Sequence, residues 1–279
     1  MRAGPREGSI QVRCADIVAA CAEVGIEAGD VVMFHSSLKS MGHVVGGPNA
    51  VVDGFLQAVG PTGTVCVPTL WWHVTDPPMR REDWDIDTSP SYPGLITETL
   101  RQRPDSVRSN DPTHSVSAIG ARAVELTAGH GTDGLRACIF GDTAFARMSP
   151  WQRLYDWNAA YCFIGVDFTY NTLGHFCETL FVERTLQRCP AGRRAELEAR
   201  VHRWEKPGVW PRHSFQAMGE RLAQMGLVRF STIGVATLRC IRTHDMVPNI
   251  LSVLKAEPER WFNDDFLAWL RDAEAGAGA

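Results

Sequence analysis

The chain has 279 residues, 44% of them hydrophobic, with 28 basic and 32 acidic side chains and a formal net charge of −4. That length allows one large domain or two small ones around a sizeable core, and with no sharp linker we expect a single domain over 1–279. The sequence has no basic tract or basic-aromatic stripe suited to nucleic acid, no apolar run near the roughly 18 residues of a membrane span, and no apolar signal-peptide core in Met1–Ser9.

Eight cysteines, at 14, 21, 66, 138, 162, 177, 189 and 240, form no CxxC pair, so zinc-ribbon and thioredoxin readings lack support. Cys66 and Cys162 sit in apolar stretches and read as reduced core thiols. A reducing, cytoplasmic setting is the default expectation. A homodimer stays open.

In chain order, Val12 to Val24 carries apolar residues at helical spacing and stops before Gly25, which predicts a helix. Asp30 to Phe34 reads as a strand and Ser36 to Pro48 as a loop. Asn49 can cap a helix to Val59, with Val51, Val52, Phe55, Leu56 and Val59 facing inward. After a Gly60–Gly63 turn, Thr64 to Val67 is a second strand. Strand, loop, helix, turn and strand make a βαβ unit, implying a parallel pair and a three-layer α/β fold. Leu70 to Pro93 is long and aperiodic, which in a compact domain marks function or disorder.

Further on, Gly94–Arg103 and Ala121–Thr127 read as helices and Ser115–Ile119 as a strand. Ser149 caps a helix opened by Pro150 and running to Trp157. Tyr161 to Val166 is an apolar strand. Arg184 to Trp210 is polar and Arg-rich, and His213 to Met225 reads as a helix. Leu227 to Ile241 alternates around Gly234 as a strand pair would. Met246–Leu254 and Trp261–Leu270 read as closing helices, and Ala273–Ala279 as a frayed tail.

The strongest chemical signal is Asn171-Thr172-Leu173-Gly174-His175-Phe176-Cys177-Glu178. His175 and Glu178, three apart on a helix, share a face. An imidazole beside a carboxylate is a general base with an orienting partner, and this one falls just past a strand's carboxyl end, where open α/β sheets bind ligands. The bland alternative is a surface pair worth a few tenths of a kcal/mol.

Two loops add to it. His35-Ser36-Ser37-Leu38-Lys39-Ser40-Met41-Gly42, continuing to Val45-Gly46-Gly47, joins a strand to a helix, and its small residues would let backbone N–H groups approach a phosphate. It matches neither GxxxxGK[ST] nor GxGxxG, so alone it reads as an ordinary βα connection. In Arg108-Ser109-Asn110-Asp111-Pro112-Thr113-His114-Ser115, Arg108 could pair with a phosphate while Ser109 and Ser115 donate hydrogen bonds. The plainer reading is a Pro-containing turn whose Asp and Ser bond the local backbone, with His114 a structural histidine.

Taken together, these pieces resemble the antibiotic N-acetyltransferase family, typified by the aminoglycoside 3-N-acetyltransferases. Four ordered blocks carry the resemblance. They are the His35–Gly47 loop with Gly-Pro-Thr-Gly-Thr-Val after its helix, Arg108-Ser109…Pro112…Ser115, Ser149-Pro150, and Leu173–Glu178. The similarity runs from about residue 12 to about 185. It implies a three-layer α/β/α sandwich with a mixed sheet flanked by helices, acetyl-coenzyme A as co-substrate and a small-molecule amine as acceptor; no metal is expected, because His175 and Glu178 lack a third ligand and HExxH is absent. It also implies that Ser36, Ser37, Leu38, Val45, Gly46 and Gly47 contact the coenzyme pyrophosphate and pantetheine. Arg108, Ser109 and Ser115 would line the same groove, with His175 as base and Glu178 its partner. Many relatives carry His-Pro where this chain has Asp111-Pro112. The nearby histidine here is His114, which is placed with the coenzyme groove.

An alkyl amine, with a pKa near 10, must lose a proton to attack a thioester. His175 would take it, with loop N–H groups near Ser36–Leu38 or the Thr172 hydroxyl facing the thioester oxygen. Aminoglycosides are polycations, so an acidic, aromatic pocket is expected. Trp71 to Asp87 offers Asp76, Glu82, Asp83, Asp85 and Asp87 with three tryptophans, of which Asp76, Glu82 and Asp83 are the expected substrate contacts. Arg80 and Arg81 in the same run also fit a merely solvated loop. Competing readings are a biosynthetic acyltransferase with another amine or acyl donor, a coenzyme A-binding protein without turnover, and a metal- or thiol-dependent hydrolase. Against the last, HExxH is absent and Cys177 points to a different helix face from His175.

Overall fold

A computed structural model describes residues 10–73, 75, 79–204 and 206–275. The chain runs from β1 (Gln11–Val12) through α1 (Cys14–Glu23), β2 (Val31–Ser36), β3 (His43–Val44) and α2 (Gly47–Val59) to β4 (Thr64–Pro68). After the irregular segment come α3 (Leu95–Arg101), β5 (Val107–Arg108), β6 (Val116–Gly120), α4 (Ala123–Thr127), α5 (Pro150–Asp156) and β7 (Ala160–Ile164). The remainder is α6 (Thr172–Arg188), α7 (Arg194–Ala199), α8 (Phe215–Gln224), the hairpin β8 (Arg229–Ile233) and β9 (Ala236–Arg242), α9 (Thr243–Ala256), α10 (Pro258–Trp261) and α11 (Asp264–Glu274).

Seven strands form one mixed sheet in the order β5-β6-β4-β2-β7-β9-β8. β2 lies parallel to both β4 and β7, and the outer pairings are antiparallel. The βαβ unit expected from the sequence is therefore the centre of the sheet. Alternation along β2 divides the core. Val32 and Phe34 face the α1–α2 layer, where Phe34 stacks on Phe55 at 4.5 Å, while Val31 and Met33 face the layer holding α5, α6, α9 and α11. Gly54 lets α1 and α2 close up, since a Cβ there would lie 2.7 Å from Ile17.

Several boundaries differ from the sequence reading for local reasons. β2 reaches Ser36 because its neighbour β7 pairs that far. The Ser36–Pro48 stretch contains a short turn at Leu38–Met41 and the two-residue β3, paired with β1. α2 starts three residues early, capped at Gly46 rather than Asn49, with Pro48 in its first turn. α6 continues to Arg188 inside the polar stretch, because Phe181, Val182 and Leu186 keep one face buried. The last predicted helix is two, separated at Asn263, whose side chain caps α11 by accepting the Phe266 N–H at 2.9 Å. All eight cysteines are free. Among the described residues no helix is long and apolar enough to cross a membrane.

Candidate active site

The carboxyl ends of β2, β4 and β7 lie side by side at the centre of the sheet and open on a cleft with two lobes, of about 520 and about 420 Å³. His35, Pro68, Pro93 and Tyr170 belong to the walls of both. α6 begins beside the larger lobe, and its first turns place His175 in that wall.

His175 Nδ1 is 2.8 Å from Glu178 Oε2. The imidazole is 25% exposed while the carboxylate is 2% exposed. Burial alone would raise the Glu178 pKa, but His175 and His213 outweigh it and hold the carboxyl at about 2. An ionised carboxylate only accepts, so the proton of this bond sits on Nδ1, and Nε2 is the nitrogen that takes no part in it. The same Oε2 accepts the Trp210 Nε1–H at 2.9 Å, and Oε1 lies 3.4 Å from His213 Nδ1. Phe140 and Phe215 stand edge-on to the His175 ring, each with its centroid at 4.7 Å. Gly174 makes room for Phe215, since a Cβ there would come within 2.7 Å of it.

His114 lines the same lobe, its ring 6.1 Å from that of His175 and nearly perpendicular. Its Nδ1 is buried and has no hydrogen-bond partner among the described residues. Burial, then the nearby His175, push its pKa down to about 3 despite Asp111. Asp111 does not reach the ring. Its Oδ1 accepts the Thr113 N–H (2.9 Å), the Thr113 hydroxyl (2.8 Å) and the His114 N–H (2.7 Å), and its Oδ2 accepts the Thr143 hydroxyl (2.7 Å).

Of the residues expected at the coenzyme, Ser36, Ser37 and Leu38 line the smaller lobe, opposite the start of α3. The Ser37 N–H is taken by the Ile164 carbonyl at 2.9 Å, so it is not a free donor toward a thioester. Val45, Gly46 and Gly47 form the turn into α2, with Gly46 at φ 90° and Gly47 at φ 64°, and line neither lobe. Arg108 also lies outside both. Its guanidinium donates to the carbonyls of Thr69, Ile86 and Ser89 and packs 4.4 Å from the Trp84 ring centroid. Arg108 thus ties the irregular segment to the sheet, and burial brings its pKa down to about 9. Ser109 Oγ accepts the Val116 N–H and contacts His130 Nδ1, both at 2.9 Å. Ser115 Oγ donates to the Thr69 carbonyl at 2.7 Å. Both serines are buried and line neither lobe.

The expected acidic contacts behave differently. Asp76 lies outside the described residues. Asp83 and Glu82 are exposed and paired with Arg80, at 2.8 and 3.4 Å, and line neither lobe. Asp85 is spent on its own turn, accepting from Thr88 and the Asp87 N–H. The segment supplies the larger lobe with Leu70, Trp72 and Tyr92 instead, and the N–H groups of Trp71 and Trp72 pin it to the Pro112 carbonyl. Sequence reasoning singled out none of His35, Phe140, Tyr161, Trp210, His213 and Phe215 for this site. The only hint of the Trp210–His213 contribution was a histidine opening a predicted helix.

These features define an α/β enzyme whose histidine–carboxylate pair faces a long cleft. A family model described as aminoglycoside 3-N-acetyltransferase matches residues 33–255, and the chain belongs to that family, an acyltransferase by class. The match continues some 70 residues beyond the point where the motif resemblance fades. The chain is 27% identical over 253 residues to the aminoglycoside N(3)-acetyltransferase VII of Streptomyces paromomycinus, covering 80% of this chain and 85% of that one. It is 30% identical over 171 residues to the aminoglycoside N(3)-acetyltransferase III of Serratia marcescens, 56% of this chain and 60% of the relative. Among solved structures, aminoglycoside acetyltransferase AAC(3)-Xa superposes with TM-score 0.68 at 26% identity, covering 88% of this chain and 93% of that one. AAC-IIIb in its binary complex with CoASH shares the fold, with TM-score 0.66 at 20% identity over 91% of this chain and 98% of that one.

Proposed function

We propose that this chain, as one domain over 1–279, transfers an acetyl group from acetyl-coenzyme A to an amine of an aminoglycoside-type antibiotic or a related amino compound. One observation carries the reading: His175 is tied at 2.8 Å to a buried carboxylate while its ring opens on a lobe continuous with the one beneath Ser36–Leu38. The family, the names of the relatives and the coenzyme-bound neighbour support this choice of donor and acceptor.

In this reading the acyl donor enters along Ser36, Ser37 and Leu38, and the acceptor occupies the aromatic lobe. Val45, Gly46, Gly47, Arg108, Ser109 and Ser115 join the coenzyme groove on the family resemblance alone. His175 Nε2 removes the amine proton as nitrogen attacks the thioester carbon, and the departing thiolate recovers it. Glu178 fixes the tautomer and stabilises the imidazolium. General-base help of this kind is worth roughly 10²–10⁴-fold, and holding amine and thioester together adds several kcal/mol. His114, kept neutral by burial, is a wall of the lobe.

One observation favours a variant of this reading. Among the described residues no carboxylate lines the larger lobe, whose walls include Trp72, Tyr92, Phe140 and Phe215. Such a surface suits an amine with fewer charges and a flatter, less polar framework than a polycationic sugar. Both versions are tested by thiol release from acetyl-coenzyme A over a panel of aminoglycosides and aryl-alkyl primary amines, with product mass confirming acetyl transfer. No amine-dependent thiol release anywhere in the panel would overturn the reading.

A further inference from the structure

One buried group of the cleft has no part in this proton transfer. Alternation along β2 turns His35 toward the α6 side, where it is 7% exposed and stacks on Phe163 with centroids 5.5 Å apart. What remains open of it faces the junction of the two lobes, since it lines both. Its Nε2 lies 2.8 Å from the Tyr161 hydroxyl. That hydroxyl accepts the Leu173 N–H at 3.1 Å, in the first turn of α6, and the Thr172 hydroxyl stands beside it.

With the Leu173 N–H already on its oxygen, Tyr161 is free to give its own proton to His35 Nε2, which fixes the tautomer used below. The ring is neutral, because burial brings its pKa down to about 3. A neutral imidazole that accepts at Nε2 carries its proton on Nδ1. Among the described residues Nδ1 has no hydrogen-bond partner, nor is it one of the buried, unsatisfied atoms. The chain Leu173 N–H, Tyr161 O–H, His35 Nδ1–H is aligned donor to acceptor, and each link strengthens the next. Its origin at the start of a 17-residue helix adds the positive end of that helix's dipole.

We infer that His35 is a second catalytic residue of the acyl transfer, its Nδ1–H donating to the thioester carbonyl oxygen where the two lobes meet. This rests on the acyl-transfer reading above. As the amine nitrogen bonds to the thioester carbon, the carbonyl π pair moves onto oxygen and His175 takes the amine proton. The oxyanion then re-forms the double bond, the C–S bond breaks, and the leaving thiolate is protonated by His175. His35 keeps its proton throughout. Its bond to oxygen is strongest while that oxygen is charged, so it lowers the barrier more than it tightens binding. A neutral imidazole can act as an electrophile in this way because it gives a directed N–H without itself ionising.

The test uses three substitutions of the whole enzyme and two readouts. His35→Asn keeps an N–H near the Nδ1 position. His35→Gln keeps polarity near Nε2 but supplies no donor at Nδ1, and His35→Leu supplies neither. Infrared spectroscopy of acetyl-coenzyme A labelled with carbon-13 at the carbonyl should show the bound stretch lowered from its free value in the wild type and His35→Asn, and restored in His35→Gln and His35→Leu. Turnover should fall about 100- to 1,000-fold in the last two, with coenzyme affinity within about threefold of wild type and at least about tenfold recovery in His35→Asn. If His35→Leu does not fold, the Asn–Gln contrast decides. A wild type that lowers the carbonyl stretch yet acetylates no amine would leave the donor role standing and sink the acceptor reading. An active wild type matched in turnover and stretch by His35→Gln would overturn the role of His35 alone. A loss confined to coenzyme binding would overturn it too.

Discussion

Two walls of the larger lobe each hold a histidine near a buried acid, and in only one of them does the acid bond the ring. In the α6 wall, Glu178 sends an oxygen to the His175 ring at 2.8 Å. In the Asn110–Ser115 wall, Asp111 stands the same three residues from its histidine, yet both its oxygens go to the turn and to Thr143. The difference is one of backbone. Within a helix the N–H groups past the first turn are satisfied by carbonyls, so a carboxylate there is free to serve another side chain. In a loop the N–H groups have no such partners, and an aspartate is recruited to supply them. A histidine near an acid in sequence becomes a catalytic pair only where the main chain leaves the acid unused.

The largest effect should come from removing the loop acid. Asp111→Ala strips four hydrogen bonds from buried groups and should cost about 3 kcal/mol or more of stability, read by urea denaturation. A loss under about 1 kcal/mol would break the contrast, because the turn would then not depend on its acid. Next, Glu178→Gln should lower kcat by about 100-fold with the fold intact, since an amide holds the His175 tautomer poorly and stabilises no imidazolium. Turnover within about threefold of wild type would make the helix pair as inert as the loop pair.

A smaller effect is a matter of pH. His114 and His35 are held near 3 in the folded protein, far below an unfolded histidine. Below about pH 6.5 the unfolded chain therefore binds protons that the folded chain refuses. Stability is fully present above that pH and falls as pH drops toward 3, by up to about 1.4 kcal/mol per pH unit for each histidine. His114→Phe should flatten the slope of Tm against pH between 6.5 and 4 by one group's share. The smallest expectation concerns the same variant, whose kcat at neutral pH should stay within about threefold of wild type. A large loss would return His114 to the chemistry.

The helix pair was legible in the sequence and the loop's failure was not. His175 and Glu178 could be read because three residues on a helix fix a shared face. The central strands could be read because Val31–Phe34 and Thr64–Val67 are continuous apolar runs around one helix. Trp210, which steadies Glu178 from 32 residues away, could not, because the chain between follows no period. The tie from His35 to Tyr161 depends on register across two parallel strands, which a single sequence does not state. Glu82 and Asp83 looked like substrate contacts, although Arg80, two and three residues before them, was already positioned to neutralise both.

His175 itself decides the matter. Thiol release from acetyl-coenzyme A should be measured for His175→Ala beside the wild type, with saturating amine at neutral pH and coenzyme affinity determined in parallel. A fall in kcat of about 1,000-fold with unchanged coenzyme binding is expected, within the range for a lost general base. Turnover equal to wild type would contradict the assignment of the base and, with it, the reading of the α6 wall.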